Sequence, residues 1–161
     1  MPTDVLAIPD LRAIFVEEVE AAAGVLFDAH ATSELLLIRA TLPWLADVRP
    51  GDPVQDGVAM RATSQEAVAH PFVVRQVCTH GAIAPQALAT QRVAGMDELS
   101  ADVARAAVRG AVCSCARHDV FVSFASRMAT TGRTLVTIPF LLMAMLPDQA
   151  DPEAGAALHE W

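Results

Sequence analysis

Lysine and tyrosine are absent from these 161 residues. All eleven basic side chains are therefore arginine, the residue suited to planar, two-pronged contacts with phosphate. Lysine depletion beside abundant alanine nevertheless reads first as genome composition. Cysteine is scarce and odd in number (Cys78, Cys113 and Cys115), so a complete disulfide framework is excluded and a reducing, cytoplasmic setting is expected. No apolar run reaches the length that crosses a bilayer; the longest, residues 135–146, is interrupted by Pro139. The N-terminus lacks a basic stretch followed by an apolar one, which predicts no secretory signal. Aromatic residues make up only 5%.

What is present fits one domain with a real core. Hydrophobic residues make up 53%, which excludes a disordered chain. The net charge is −8 and its distribution is uneven. Residues 1–56 hold three Arg against ten acids, residues 57–133 hold eight Arg against five acids, and residues 134–161 hold four acids and no Arg. A basic-leaning middle between acidic ends suits a local anionic ligand. The overall sign argues against broad, non-specific nucleic-acid binding.

The pattern along the chain predicts an α+β fold: one helix, an antiparallel sheet of four to five strands, then one or two long helices. Asp10 is read as the cap of a helix over 11–23, with Leu11, Ile14, Phe15, Val19 and Ala22 on one face and Gly24 as its stop. Strands are expected at 25–29 and 34–42, the second ended by Pro43, and again at 54–63 and 72–78, separated by an irregular stretch 64–71. Residues 90–94 are expected to add a short strand. Asp97 is read as the cap of a helix that packs through Leu99, Val103, Ala106, Gly110 and Cys113. That helix either runs unbroken to about residue 131 or restarts at Asp119, with Phe121, Phe124, Ala125 and Met128 keeping helical spacing. Residues 134–146 read either as strand-turn-helix or as a docking helix. One domain over 1–147 and a loosely held acidic tail over 148–161 complete the organisation.

Several constellations bear on chemistry. Cys78-x-His80 and Cys113-x-Cys115-x-x-His118 supply five metal-binding side chains, but on a helix Cys113 and Cys115 point about 200° apart, and no metal or cofactor is expected. Cys78 and His80 share a side of a strand, yet no orienting third group or oxyanion hole accompanies them. His70-Pro71 and His118 have no partner pattern and read as surface or helix-end residues. Phosphate-cradling glycine loops, nucleophile elbows and His-Glu-x-x-His are missing. An enzyme is therefore the weaker class. The arginines are the alternative: Arg61 opposite the apolar face of its strand, Arg75 on a face shared with Val73 and Val77, and Arg92, Arg105 and Arg109 beyond them. Each reads either as a partner for the many acids or as an anion contact.

Pro50-Gly51-Asp52-Pro53-Val54-Gln55-Asp56-Gly57-Val58, the stretch 61–64, and Phe72-Val73-Val74-Arg75-Gln76-Val77-Cys78-Thr79-His80-Gly81 resemble the DUF932 family, whose uncharacterised members are common on prophages and plasmids. The resemblance covers roughly residues 25–130. His80 and Thr63 stand where that family typically has Asn. The resemblance implies a mobile-element setting with a role in DNA maintenance, and no catalytic residue is carried over. The resulting expectation is a non-enzymatic, homo-oligomeric binding protein that takes single-stranded DNA across its Arg-bearing strands. The rivals are a protein-interaction module, docking a partner or a second copy, and a Cys/His or zinc enzyme.

Overall fold

The computed structural model describes residues 5–75, 82–85 and 90–131. The element order is α1 (Ile8–Ala21), β1 (Val25–Ala31), β2 (Leu36–Arg49), β3 (Asp52–Ala62), β4 (Glu66–Arg75), β5 (Ala82–Pro85), β6 (Gln91–Ala94), a 3-10 turn (Met96–Glu98), α2 (Ala101–Cys115) and α3 (His118–Thr131). This is the expected α+β arrangement. All strand pairs are antiparallel, in the order β1-β2-β3-β4, and both β5 and β6 pair with β4. β5 takes residues 72–75 and β6 takes residues 66–69, so the two share one side of β4 end to end.

α1 begins earlier than the sequence suggests. Its N-cap is Ala7, with a proline in the first turn, where a missing N–H costs nothing. Asp10 sits inside the helix and its Oδ2 accepts from the Ala7 N–H at 3.1 Å, supplying the acidic half of a capping box. At the other end Gly24 N–H donates to Val19 O at 2.8 Å and Ala23 N–H to Glu20 O at 2.9 Å, a Schellman closure. The left-handed position is Ala23, at φ 55°, and not the glycine. Gly24 serves another need: a Cβ there would lie 2.8 Å from Leu42, from Thr41 O and from Val19.

β2 passes through Pro43 instead of ending at it. β2 advances four positions from Thr41 to Leu45 while β3 advances only two, from Gly57 to Gln55. This bulge removes Pro43 from the ladder, so its missing N–H is no loss. Gln55 Nε2 donates to the Leu42 carbonyl at 3.0 Å. At the hairpin end Gly51, at φ 76°, completes the tight Pro50-Gly51 turn.

The irregular connection expected over 64–71 is confined to residues 64–65, and from Glu66 on the chain is strand. β4 starts at Glu66, because Thr63 Oγ1 accepts from the Gln65 and Glu66 N–H groups and closes the hairpin within three residues. Thr32 does the same between β1 and β2, accepting from Glu34 and Leu35. His70-Pro71 therefore lies within a central strand, Pro71 opposite Val58. The short strand expected at 90–94 is β6.

All three helices pack on one face of the sheet. The main core joins Leu11, Ile14 and Phe15 of α1, Ala104, Val108 and Val112 of α2, and Leu36, Ile38, Val58 and Met60 of the strands. A second cluster sets Phe121 and Ala125 of α3 against Val48, Val54 and Val73. α2 is capped by Ser100, not Asp97: Ser100 Oγ accepts from the Val103 N–H at 3.4 Å. It presents the opposite stripe from the one expected. Ala104, Val108, Ala111, Val112 and Cys115 are buried, while Val103, Ala106, Gly110 and Cys113 are not. Small residues surround this helix, so its larger buried Val108 and Val112 settle which side faces the core. The helix stops at Cys115 and restarts at His118, the second of the two expected alternatives. Residues 134–146 and the tail 148–161 lie outside the described residues.

Candidate functional site

Alternation along the strands sorts the arginines before any contact is considered. Leu36, Ile38 and Ala40 of β2, Val58, Met60 and Ala62 of β3, and Ala67 and Ala69 of β4 face the helices. Their neighbours in sequence must face the other way. The register then builds two cross-strand rows on that outer face. One runs His30, Leu37, Arg61, Val68, Arg92 through five strands. The adjacent row runs Asp28, Arg39, Ala59, His70.

Three arginines thus occupy one face. Arg61 stands between Leu37 and Val68, with Arg92 two strands away, a separation of roughly 10 Å. Arg39 is the diagonal neighbour of Arg61. Two of the three are engaged. Arg92 Nε lies 2.6 Å from Glu66 Oε1, and Arg39 Nε donates to Asp28 Oδ1 at 2.8 Å. Arg61 is half-buried and has no carboxylate within ion-pair distance among the described residues. His70 lies in the next row, and burial pushes its imidazole pKa below the ordinary histidine value, which favours the neutral form.

The other arginines singled out from sequence fall elsewhere. Arg109 is on α2, on the far side of the sheet, where Nη2 reaches Glu17 Oε2 and Nε reaches Glu18 Oε1, each at 2.6 Å. It clamps α2 to α1. Arg105 is half-buried on the same helix. Arg75 ends β4, its backbone opposite Val54 and Ala82, and its side chain is outside the description. The sequence reading missed Arg39 on the outer face. Its signal was present: Leu36, Ile38, Ala40 and Leu42 alternate inward, so Arg39 had to point outward.

The outer face is not uniformly open. Ala59, Phe72 and Val74 form a small buried cluster on it. The Phe72 ring lies over Gly57, where a Cβ would come within 2.6 Å of it. The accessible part is the end bearing Arg61, Val68 and Arg92.

The metal and thiol constellations do not assemble among the described residues. No group of three His, Cys, Asp or Glu side chains is placed to hold an ion there. Cys115 is in the core. His118 instead stacks against Trp44, with ring centroids 5.0 Å apart. Exposed Cys113 lies 2.7 Å from Glu18 Oε2; partial burial and then that carboxylate push its thiol up to about 11. It is therefore protonated at neutral pH and a poor nucleophile. Cys78 and His80 lie outside the described residues.

One further titratable group has no counterpart in the sequence reading. Asp56, on β3, is 1% exposed. Its Oδ1 accepts from the Gly57 N–H at 2.8 Å, while Oδ2 has no partner among the described residues. Burial raises its pKa to about 7, against the smaller opposing effect of the Gly57 hydrogen bond.

A groove of about 650 Å³ lies where the start of α1 meets two hairpin turns, with Arg12, Thr32, Ser33 and Ser64 among mainly apolar walls. No helix of the described residues is long and apolar enough to cross a membrane. No family model, no curated protein and no solved structure matches this chain.

Proposed function

We propose that this chain is a non-enzymatic binding protein that takes single-stranded nucleic acid across the outer face of its sheet. The observation that carries the reading is Arg61. It is half-buried between two apolar side chains, has no acidic partner among the described residues, and shares its face with Arg39 and Arg92. A phosphate beside Arg61 would meet a guanidinium already relieved of part of its hydration, which strengthens a charge-assisted contact. Phe72 is buried beneath this face, so it offers no base-stacking platform, and binding would rest on phosphate contacts. With Arg39 and Arg92 already paired to acids and a net charge of −8, the affinity would be modest and strongly salt-dependent.

The resemblance of residues 50–81 to the DUF932 family supports a mobile-element setting for such binding. The test is a fluorescence-anisotropy titration of labelled oligothymidylate at about 50 mM and about 200 mM salt. Binding that weakens with salt and is lost in Arg61→Glu, but kept in Arg105→Gln, supports the reading. Absence of binding at the lower salt overturns it.

A second reading, a protein-interaction module, is favoured by a different observation. β1 is exposed along its whole length and lies at the edge of the sheet.

A further inference from the structure

β1 is the end strand of the sheet, and all seven of its residues are exposed. Val25, Leu26 and Phe27 are 68%, 39% and 49% exposed. Beyond β2, no described strand pairs with it. Such an edge presents a row of backbone donors and acceptors to any strand that can match it. Proteins usually blunt such edges with lysine, proline, a bulge or an uncompensated charge. β1 has neither lysine nor proline, and its one carboxylate is held by Arg39. A register shift between Leu26 and Asp28 marks a bulge at Phe27, which confines the regular edge to residues 28–31.

We infer that this edge pairs with β1 of a second copy, antiparallel, with Asp28 of each copy opposite His30 of the other. This specifies the homo-oligomer that the sequence leads one to expect, and it stands or falls without nucleic acid. Register selects this pairing. Asp28 and His30 both lie on the outer face, since their β2 partners Arg39 and Leu37 do. Directly opposed residues of an antiparallel pair share a face, so allowed registers differ by steps of two. Centring the pair on Asp28 sets carboxylate against carboxylate. Centring it on His30 sets imidazole against imidazole. Centring it on Ala29 opposes Asp28 and His30 twice, by symmetry, within the regular part of the edge. The interface is then isologous and closed, as in most homodimers. Asp28 can serve both neighbours: its side chain is 46% exposed, and a carboxylate accepts more than the two hydrogen bonds Arg39 supplies. Across the joined sheet the order becomes Arg39, Asp28, His30, Leu37, with an imidazole N–H donor set opposite the carboxylate.

The test is sedimentation equilibrium of the full chain, with circular dichroism to verify the fold of each variant. His30→Asp faces each Asp28 with a second carboxylate and should weaken dimerisation at least about tenfold, while His30→Arg should match or strengthen the parent. Both substitutions fall on an exposed side chain. Ala29→Cys places two thiols across the symmetry axis and should yield a covalent dimer under mild oxidation, above the background from the parent chain with its exposed Cys113. A monomer at millimolar concentration overturns the inference. So does a dimer equally tight in both His30 variants, or one that Ala29→Cys does not lock, since either would place the contact elsewhere.

Discussion

Arg39 holds Asp28 across the β1–β2 ladder, Nε to Oδ1 at 2.8 Å, and its guanidinium carbon also lies 5.4 Å from the centre of the Phe27 ring. Consecutive residues of a regular strand point to opposite faces, so Phe27 and Asp28 cannot ordinarily share a partner. The bulge between Leu26 and Asp28 turns both toward Arg39. The pair is partly exposed, so Asp28→Asn should cost about 0.5–1 kcal/mol. A double-mutant cycle of Phe27→Leu and Arg39→Met in urea should show a coupling of about 0.5 kcal/mol. Additive effects would remove the cation–ring contact from the account.

Asp56 makes stability depend on pH in the unusual direction. Its folded-state pKa, about 7, lies above the unfolded value of 3.8. Between those values the folded chain holds the proton and the unfolded chain does not, so stability from this group is full below about pH 4 and is lost as pH rises to about 7. The loss is on the order of 4 kcal/mol. Asp56→Asn should flatten this slope and stabilise the protein at pH 8. Chemical denaturation of both proteins from pH 5 to 8 checks it, and parallel curves would count against the buried, orphaned carboxyl.

Ala23 and Gly24 should respond in opposite ways to exchange of their residue types. Ala23 holds a left-handed conformation that glycine adopts without penalty. Ala23→Gly should therefore stabilise by about 1 kcal/mol. Gly24→Ala should destabilise, because its Cβ meets the Thr41 carbonyl at 2.8 Å. Thermal melts of the two variants decide the matter.

Gly57→Ala drives a methyl into the Phe72 ring and to 2.9 Å from the Ala40 carbonyl. A loss of about 1–3 kcal/mol is expected from such overpacking. Pairing the change with Phe72→Leu should recover part of it, read by urea midpoint.

Cys113 should alkylate slowly at pH 8, with its rate rising toward pH 11. Glu18→Gln removes the neighbouring charge that opposes the thiolate, and should shift the rate profile to lower pH. Mass spectrometry of iodoacetamide adducts at Cys113 reads the effect directly.

How much of this was legible follows from what each residue could signal alone. Leu11, Ile14, Phe15 and Val19 announced the buried face of α1, since large apolar residues at that spacing have one use. Asp10 looked like a cap because Ala7, the true cap, carries no side-chain signal. Pro43 read as a strand end because a bulge depends on how far the partner strand advances, which local sequence does not encode. The face of α2 was misread for a related reason: with Ala, Val and Gly on several sides, only the docked neighbours choose the stripe. On the outer face, Arg61 and Arg92 were singled out individually. Their meeting across Val68 depends on the β3–β4 register, which the hairpin closure at Thr63 establishes, and on the β4–β6 register, beside which the Met96 N–H donates to the Gln65 carbonyl at 2.9 Å.

β2 is fourteen residues long and bends at the bulge around Pro43, and this divides the protein's cooperativity. Its first half belongs to the core under α1 and α2, its second half to the patch under α3, and Trp44 touches both. α3 and residues 45–49 can release together while the first core stays closed, because few large side chains bridge the two. Amide exchange should accordingly resolve two protection levels within one continuous strand, with Trp44 at the step between them.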